Sequence, residues 1–272
     1  MCRVLEVSRD GFYKWIKRPE SRRTIERRMF DARVKAIFEK KRKRSGSEKV
    51  CQELKRVGII CSRSKVARSM KRQGLRSIVK KKFVPTTDSK HSEPVAPNIL
   101  NRQFTVEKPD QCWVSDITYL ASQSGWLYLT VIIDLFSRLV VGWNLSTSLG
   151  HESVLTALHR AVWHRKPSRG LLFHSDRGVQ YACGNFRETI KTYGFVQSMS
   201  RKGNCWDNAV AESFFRTLKT ELIYHIDLID EDHARKELFE YIEIFYNRQR
   251  LHATLGYVPP AEFEIAKLKK CA

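Results

Sequence analysis

Three β-rich runs follow one another almost without pause in the middle of this chain: Cys112 to Leu120, Trp126 to Phe136 and Arg138 to Leu145. Runs dense in Val, Ile, Tyr, Trp and Thr, separated by turn sequences such as Gln123-Ser124-Gly125, predict strands joined as hairpins. A sheet of this kind has an apolar face to bury and therefore needs helices from the rest of the chain. The sequence downstream supplies them. A helix over about 151–164 precedes the apolar run Leu171-Leu172-Phe173, and a second helix over about 179–193 precedes a short strand from Phe195 to Met199. A polar loop follows, then a helix from about Asp207 and an amphipathic helix, rich in Glu and aromatics, over Ile229 to Tyr246.

Three antiparallel strands followed by alternating helix and strand predict an α/β mixed sheet of five strands with flanking helices. That order matches the ribonuclease H-like fold. The first third is of another kind. The chain carries 50 Lys+Arg against 29 Asp+Glu, a net charge of +21, and residues 1–100 hold 29 of those bases and 10 of those acids, leaving a net of +2 for the rest. A basic third joined to a nearly neutral remainder points to a nucleic-acid-binding module attached to a domain with a different task, against a solvated basic face or a membrane-surface patch. Arg22 to Arg44 is helical in pattern and is stopped by Ser45-Gly46-Ser47. Ser47 can cap a second helix that stops at Gly58, and Ser62 or Ser64 can open a third. This is a small all-α helix-turn-helix pattern, whose later helix offers Arg63, Lys65, Arg68, Lys71 and Arg72 to phosphates and base edges. The expected division is a partial helix-turn-helix end over 1–20, a helix-turn-helix domain over 21–79, a proline-bearing mobile linker over 80–109, a catalytic core over 110–225 and a helical extension over 226–272.

Composition closes other routes. Seven cysteines, with no CxxC pair, support neither a disulfide framework nor a cysteine zinc site, so all read as free thiols. The longest apolar run, Trp126 to Phe136, is interrupted by Asp134 and falls short of the ~20 residues a membrane span needs. The chain reads as soluble and intracellular, with no membrane partner.

Three acids stand where acids are costly or exposed to chemistry: Asp116 inside the first strand, Asp176 just beyond the fourth, and Glu212 inside a helix. A carboxylate flanked by Trp113, Val114, Ile117 and Tyr119 is unfavourable unless paired or bound to a cation. Carboxylates converging from separate elements suit Mg²⁺, and two such ions about 3.5–4 Å apart can serve an in-line phosphoryl displacement. A buried salt bridge at Asp116, or simple surface placement of the other acids, is the alternative.

The segments Trp113-Val114-Ser115-Asp116-Ile117-Thr118-Tyr119, His174-Ser175-Asp176-Arg177-Gly178-Val179-Gln180-Tyr181 and Asp207-Asn208-Ala209-Val210-Ala211-Glu212-Ser213-Phe214-Phe215 resemble the DDE motif of bacterial insertion-sequence transposases. The 35 residues between Asp176 and Glu212 are the spacing that motif shares with retroviral integrases. Lys219, two helical turns after Glu212, and the blocks Tyr246 to His252 and Leu255 to Pro260 are similar to the insertion-sequence-three family. The resemblance runs from the start to about Phe263. It implies that Asp116, Asp176 and Glu212 are catalytic and bind Mg²⁺, in two sites and with Mn²⁺ able to substitute. It implies cutting of double-stranded DNA at the element's terminal repeats and transfer of the 3′-hydroxyl to target DNA. It further implies copies of the chain assembled on DNA in the cytoplasm at the nucleoid, and a fusion partner from an overlapping upstream reading frame.

Around the triad, Asp134 is expected roughly opposite Asp116 if the hairpin centres near Gly125, in a supporting role, and His174 either orients a carboxylate or approaches a scissile phosphate, or is a core histidine. Arg201, Lys202, Asn208 and Lys219 are expected at DNA, and Trp206 either stacks on a base or packs the helix. Two rivals remain at this level: a DNA-binding remnant or repressor without catalysis, and a nuclease of the same fold that never joins strands.

Overall fold

Serine hydroxyls open the helices of the basic third. Ser8, Ser21 and Ser62 each accept a hydrogen bond from the backbone N–H three residues on, at Gly11, Thr24 and Lys65, and so satisfy a donor the first helical turn leaves unpaired. They begin α1 (Arg9–Lys17), α2 (Arg22–Lys40) and α4 (Arg63–Arg72). α3 (Ser47–Arg56) starts at Ser47 itself, with Gly46 at the cap position, so the capping role expected of Ser47 is not used. In this computed structural model, residues 2, 4, 6–79, 94–202 and 204–271 are described. The chain divides into two compact units, 1–79 and 80–272.

In the first unit Phe30, Val34 and Phe38 of α2 meet Val50, Cys51 and Leu54 of α3 and Val66 and Met70 of α4 in a small core. Gly58, at φ +79°, makes the turn out of α3 that the sequence assigned to it. α1 buries none of its residues.

The second unit is a five-stranded sheet in the order β3-β2-β1-β4-β5. β1 (Cys112–Ser122), β2 (Gly125–Asp134) and β3 (Val140–Ser146) are antiparallel, and β4 (Leu172–Ser175) and β5 (Val196–Met199) run parallel to β1. This is the ribonuclease H-like arrangement. One face carries α5 (His151–Arg165), α6 (Val179–Ala182) and α7 (Gly184–Thr192), packed on Trp113, Ile132 and Phe173. The other carries α8 (Ala209–Glu221) and α9 (Glu231–Phe239), packed on Val114, Leu129, Val131 and Ile133. α10 (Pro260–Cys271) ends the chain's helices.

Several expectations change. The helix expected over 179–193 breaks at the extended Cys183 into α6 and α7. That expected over 229–246 is α9 followed by a π-helical stretch, Glu240–Tyr246, which turns Tyr241, Ile242, Phe245 and Tyr246 inward together. Part of the expected mobile linker, 80–93, lies outside the described residues. The remainder is fastened: Ile99 and Leu100 N–H both donate to Ser198 Oγ (2.9 and 3.2 Å), and Leu100 is buried. Proline content marks the stretch as irregular, but the Ile99 and Leu100 N–H groups share a fixed acceptor.

β3 and α5 approach so closely that Gly142 is the residue the contact admits. A Cβ there would lie 2.5 Å from Ala157 O and 2.8 Å from Ala161 Cβ. Gly142→Ala is expected to destabilise the fold by roughly 1–3 kcal/mol. Urea unfolding should show a lower midpoint at unchanged m value, and an unmoved midpoint would contradict this packing.

Candidate active site

The sheet register brings the first two acids together. β1 and β4 pair in parallel with Ser115 opposite Ser175, and β4 ends there. Asp116 and Asp176 are each the next residue, at an inter-strand spacing of about 4.8 Å. Alternation puts Asp116 on the same face as Val114, towards α8, whose first turn carries Glu212. All three carboxylates keep partial solvent access.

The three acids also act on one another through their charges. Burial first, then the negative charges of Asp176 and Glu212, push the Asp116 carboxyl well above the usual range, against the Ile117 N–H bond and Lys219. Burial likewise raises Glu212, opposed by Arg216. Lys219 is lowered by burial and raised by the Asp116 charge, so the lysine two turns along α8 belongs to the same field. Asp116 Oδ1 accepts from Ile117 N–H and Asp176 Oδ1 from Gly178 N–H, both at 2.9 Å, which fixes each carboxylate against its own backbone.

Among the described residues no group of three or more His, Cys, Asp or Glu side chains is arranged so that it could hold a metal ion. The chemistry of the donors nevertheless fits a hard cation. They are all carboxylate oxygens, and the charges of Asp176 and Glu212 raise the proton affinity of Asp116 in a way that added positive charge relieves.

A polar scaffold holds these elements. Asn208, just before α8, donates from Nδ2 to the Ser115 carbonyl (3.0 Å), tying the Glu212 helix to the strand beside Asp116. Asn208 is buried, so it is a clamp and not the outward DNA contact expected of it. Ser115 Oγ donates to Val131 O (2.9 Å) and lies 2.8 Å from the buried Tyr181 hydroxyl, behind the strand.

His174 is buried as a core histidine. Its Nδ1 is 2.8 Å from Ser198 Oγ, which already accepts from two backbone N–H groups and so gives its hydrogen to the ring. Ser200 Oγ donates to the Ser175 carbonyl, which leaves Nε2 as the protonated nitrogen facing it at 3.2 Å. Burial holds its pKa down to about 4, so the ring is neutral.

Asp134 is not opposite Asp116. The turn is the two-residue Gln123-Ser124, so Asp116 pairs with Val131 and Asp134 with Trp113, which points Asp134 to the other face. There it accepts from Phe136 N–H and Ser137 Oγ, both at 3.2 Å.

The loop before α8 is organised by Asp207, whose place in the sequence marks only a helix start. Its side chain is fully buried, accepting from Asn98 Nδ2 (2.8 Å), Arg102 Nε (2.8 Å) and Arg201 through its backbone N–H, Nε and Nη2 (2.9, 2.9 and 2.8 Å). The Arg201 guanidinium heads the causes that hold this carboxyl well below the usual range. Lys202 is exposed, and Trp206, 69% exposed, does not pack the helix onto the sheet.

In the first unit the basic helix α4 is partly engaged in its own fold. Arg72 grips Asp31 of α2 through Nη2 and Nε (2.6 and 3.2 Å), and Lys65 Nζ sits 4.4 Å from the Phe30 ring centroid. Arg63 Nε lies 3.6 Å from Glu48, and Arg68 Nε donates to Ser64 O. Arg63, Lys65, Arg68 and Lys71 are exposed.

Residues 106–205 and 193–260 match families described as integrase core domain, and residues 24–83 match one described as HTH-like domain. A solved structure of the simian T-cell lymphotropic virus intasome with the PP2A regulatory subunit B56 gamma shares the fold, with a TM-score of 0.50 and 16% identity over 75% of this chain and 67% of that one. An integrase core on a ribonuclease H-like sheet defines the class to which transposases and integrases belong. Transposase InsF for insertion sequence IS3A of Escherichia coli strain K12 is 41% identical over 97% of this chain and 92% of its own length. An uncharacterized 31 kDa protein of insertion element IS600 from Shigella sonnei is 42% identical over 97% of both. The chain belongs to the IS3 family of transposases. Among the described residues no helix is long and apolar enough to cross a membrane.

Burial, with Asp110 and Glu264 nearby, lifts the Asp134 pKa to about 7, against the Phe136 N–H bond and Arg165. The folded state thus holds a proton that the unfolded chain releases near pH 4, and this group's share of stability falls as pH rises through 4 to 7. Asp134→Asn should remove that fall, narrowing the difference in unfolding free energy between pH 5 and pH 8 by about 2–3 kcal/mol. Parallel pH profiles for variant and wild type would refute the raised carboxyl.

Proposed function

We propose that Asp116, Asp176 and Glu212 are the catalytic carboxylates of this transposase and hold Mg²⁺, in two sites and with Mn²⁺ able to replace it, while DNA ends are cut and joined. The observation that carries this reading is the adjacency of Asp116 and Asp176 across the β1–β4 register, with Glu212 acting on Asp116 from α8. When bound, the divalent cations would supply Lewis acidity to the attacking and leaving oxygens of a phosphodiester.

The chain's own residues do the positioning. Ile117 and Gly178 N–H hold one oxygen of each aspartate, Asn208 sets α8 against β1, and neutral His174 fixes the end of β4 beneath Asp176. Lys219, half-buried in the acidic field, is placed to meet a phosphate of the strand entering the site. The carboxylates ligate and do not transfer the proton themselves. Water acts as nucleophile in cutting, and the exposed DNA 3′-hydroxyl acts in joining. The partners are duplex DNA bearing the element's terminal repeats, target DNA, and further copies of the chain.

Asp116→Asn, Asp176→Asn and Glu212→Gln should each lower Mg²⁺-dependent nicking of an end-bearing duplex, and joining of a precleaved end to target DNA, by roughly three orders of magnitude or more. Each removes one charge from a repelling group, so each should melt at or above the wild-type temperature without metal. Mg²⁺ should raise the melting temperature of the wild type and not of the variants. Nicking without joined product would leave a nuclease, and full activity in any one variant removes that residue from the triad.

A further inference from the structure

The loop between β5 and α8 and the segment before β1 meet at Asp207, and the ionic arrangement there is lopsided. One fully buried carboxylate is gripped by two guanidiniums whose side chains remain 45% exposed at Arg102 and 48% at Arg201. The acid is inside and both bases reach outward, so the cluster presents a net positive charge to solvent.

The donors are unevenly used. Arg102 donates from Nε to Asp207 and from Nη2 to Asn204 Oδ1 (2.8 Å), and Arg201 donates from Nε and Nη2 to Asp207. Among the described residues, Nη1 of each donates to no protein acceptor, and neither is a buried orphan. Asn101 and Arg102 also hold φ at +41° and +63°, a left-handed conformation that non-glycine residues rarely adopt unless their surroundings dictate it. Here the dictating contacts are those that aim the Arg102 fork: Asn98 Oδ1 receives the Asn101 N–H (2.8 Å), and Asn98 Nδ2 binds Asp207.

The position is what gives the pair a use. Ser200, beside Arg201, donates its N–H to Ser175 O, next to Asp176, while Asn208, beside Asp207, donates to Ser115 O, next to Asp116. The cluster is thus bonded through one residue on each side to the two strands that carry the aspartates. A preset guanidinium pair matches the oxygens of a phosphodiester, whereas a repelling acid group cannot hold that backbone by itself.

We propose that Arg102 and Arg201, clamped on Asp207, form a phosphate-binding site for the DNA backbone beside the three acids, with Arg102 supplied by the segment before the sheet. The ligand's identity rests on the DNA-cutting reading above. The site itself is defined by the arginine geometry.

The test is the salt dependence of binding to a fluorescein-labelled duplex of mixed sequence, measured with the full chain in EDTA so that no cutting is involved. The contribution of the helix-turn-helix unit is common to all variants and cancels in the differences. Arg102→Gln and Arg201→Gln should each flatten the slope of log K against log salt by about 0.9, one phosphate contact apiece. Arg102→Lys should keep the slope, since it keeps the charge. Melting curves report any loss of the clamp separately. An unchanged slope in both Gln variants, or an equal flattening in Arg102→Lys, overturns the proposal and leaves the arginines as neutralisers of Asp207. Flattened slopes in a chain that does not cut DNA would sink the catalytic reading and spare this one. Normal cutting with unchanged slopes would do the reverse.

Discussion

The position of β1 at the centre of the sheet is the constraint on which the rest depends. It pairs along its length with β2 but with β4 only over Cys112 to Ser115. Beyond Ser115 the strand continues without a parallel neighbour, and the gap is where Asp116 and Asp176 stand. Asp176 follows the carboxyl end of β4, the end at which open α/β sheets leave a crevice, and Asp116 stands mid-strand in β1 where its parallel pairing stops. A slip of one residue would turn Asp116 into the core formed with α5, where Trp113 and Ile132 now pack. The hydrophobic alternation of β1 therefore protects the site as firmly as it protects the core.

Much of this was legible in the sequence because it is local. Strand type, the order of helix and strand, the basic third and the spacing of Asp176 and Glu212 all follow from patterns within a few residues or from a motif read along the chain. What failed was non-local or hung on a single turn. Asp134 was placed opposite Asp116 by centring the hairpin on Gly125, but the loop is the tighter Gln123-Ser124, and Gly125, at φ +125°, already belongs to β2. An odd shift of three residues both separates the two acids and turns Asp134 to the other face. The linker failed differently. Prolines identify absent donors, but nothing in the sequence near Ile99 says that a serine hydroxyl about a hundred residues away will take its N–H. Asp207 lies inside the Asp207-to-Phe215 motif and has the local pattern of a helix start, because its partners Asn98 and Arg102 lie over a hundred positions upstream.

The buried ion pairs share a placement that bears on what they are for. Asp207 lies under the loop that leads into α8. At the other end of the same helix Glu221 accepts from Arg250 through Nε and Nη2 and from the Tyr241 hydroxyl, all near 3 Å. Asn247 fastens the edge strand by accepting from Val140 N–H and donating to Val140 O, each at 3.0 Å. The block Tyr246 to His252, noted in the sequence for its family resemblance, thus gains a mechanical role.

A buried ion pair contributes little net stability over a well-packed apolar replacement, because desolvation offsets most of the Coulomb attraction. What it adds is a geometry that fails if either partner moves. α8 is pinned by such pairs at both ends, and between them it carries Glu212 and Lys219. The helix cannot rotate or slide without unpairing a buried charge, whereas apolar packing against Val114 and Val131 alone would tolerate small displacements. Three carboxylates that repel one another need restraint of that kind, because without it the cheapest response to their mutual charge is for the most movable one, on the helix, to swing away.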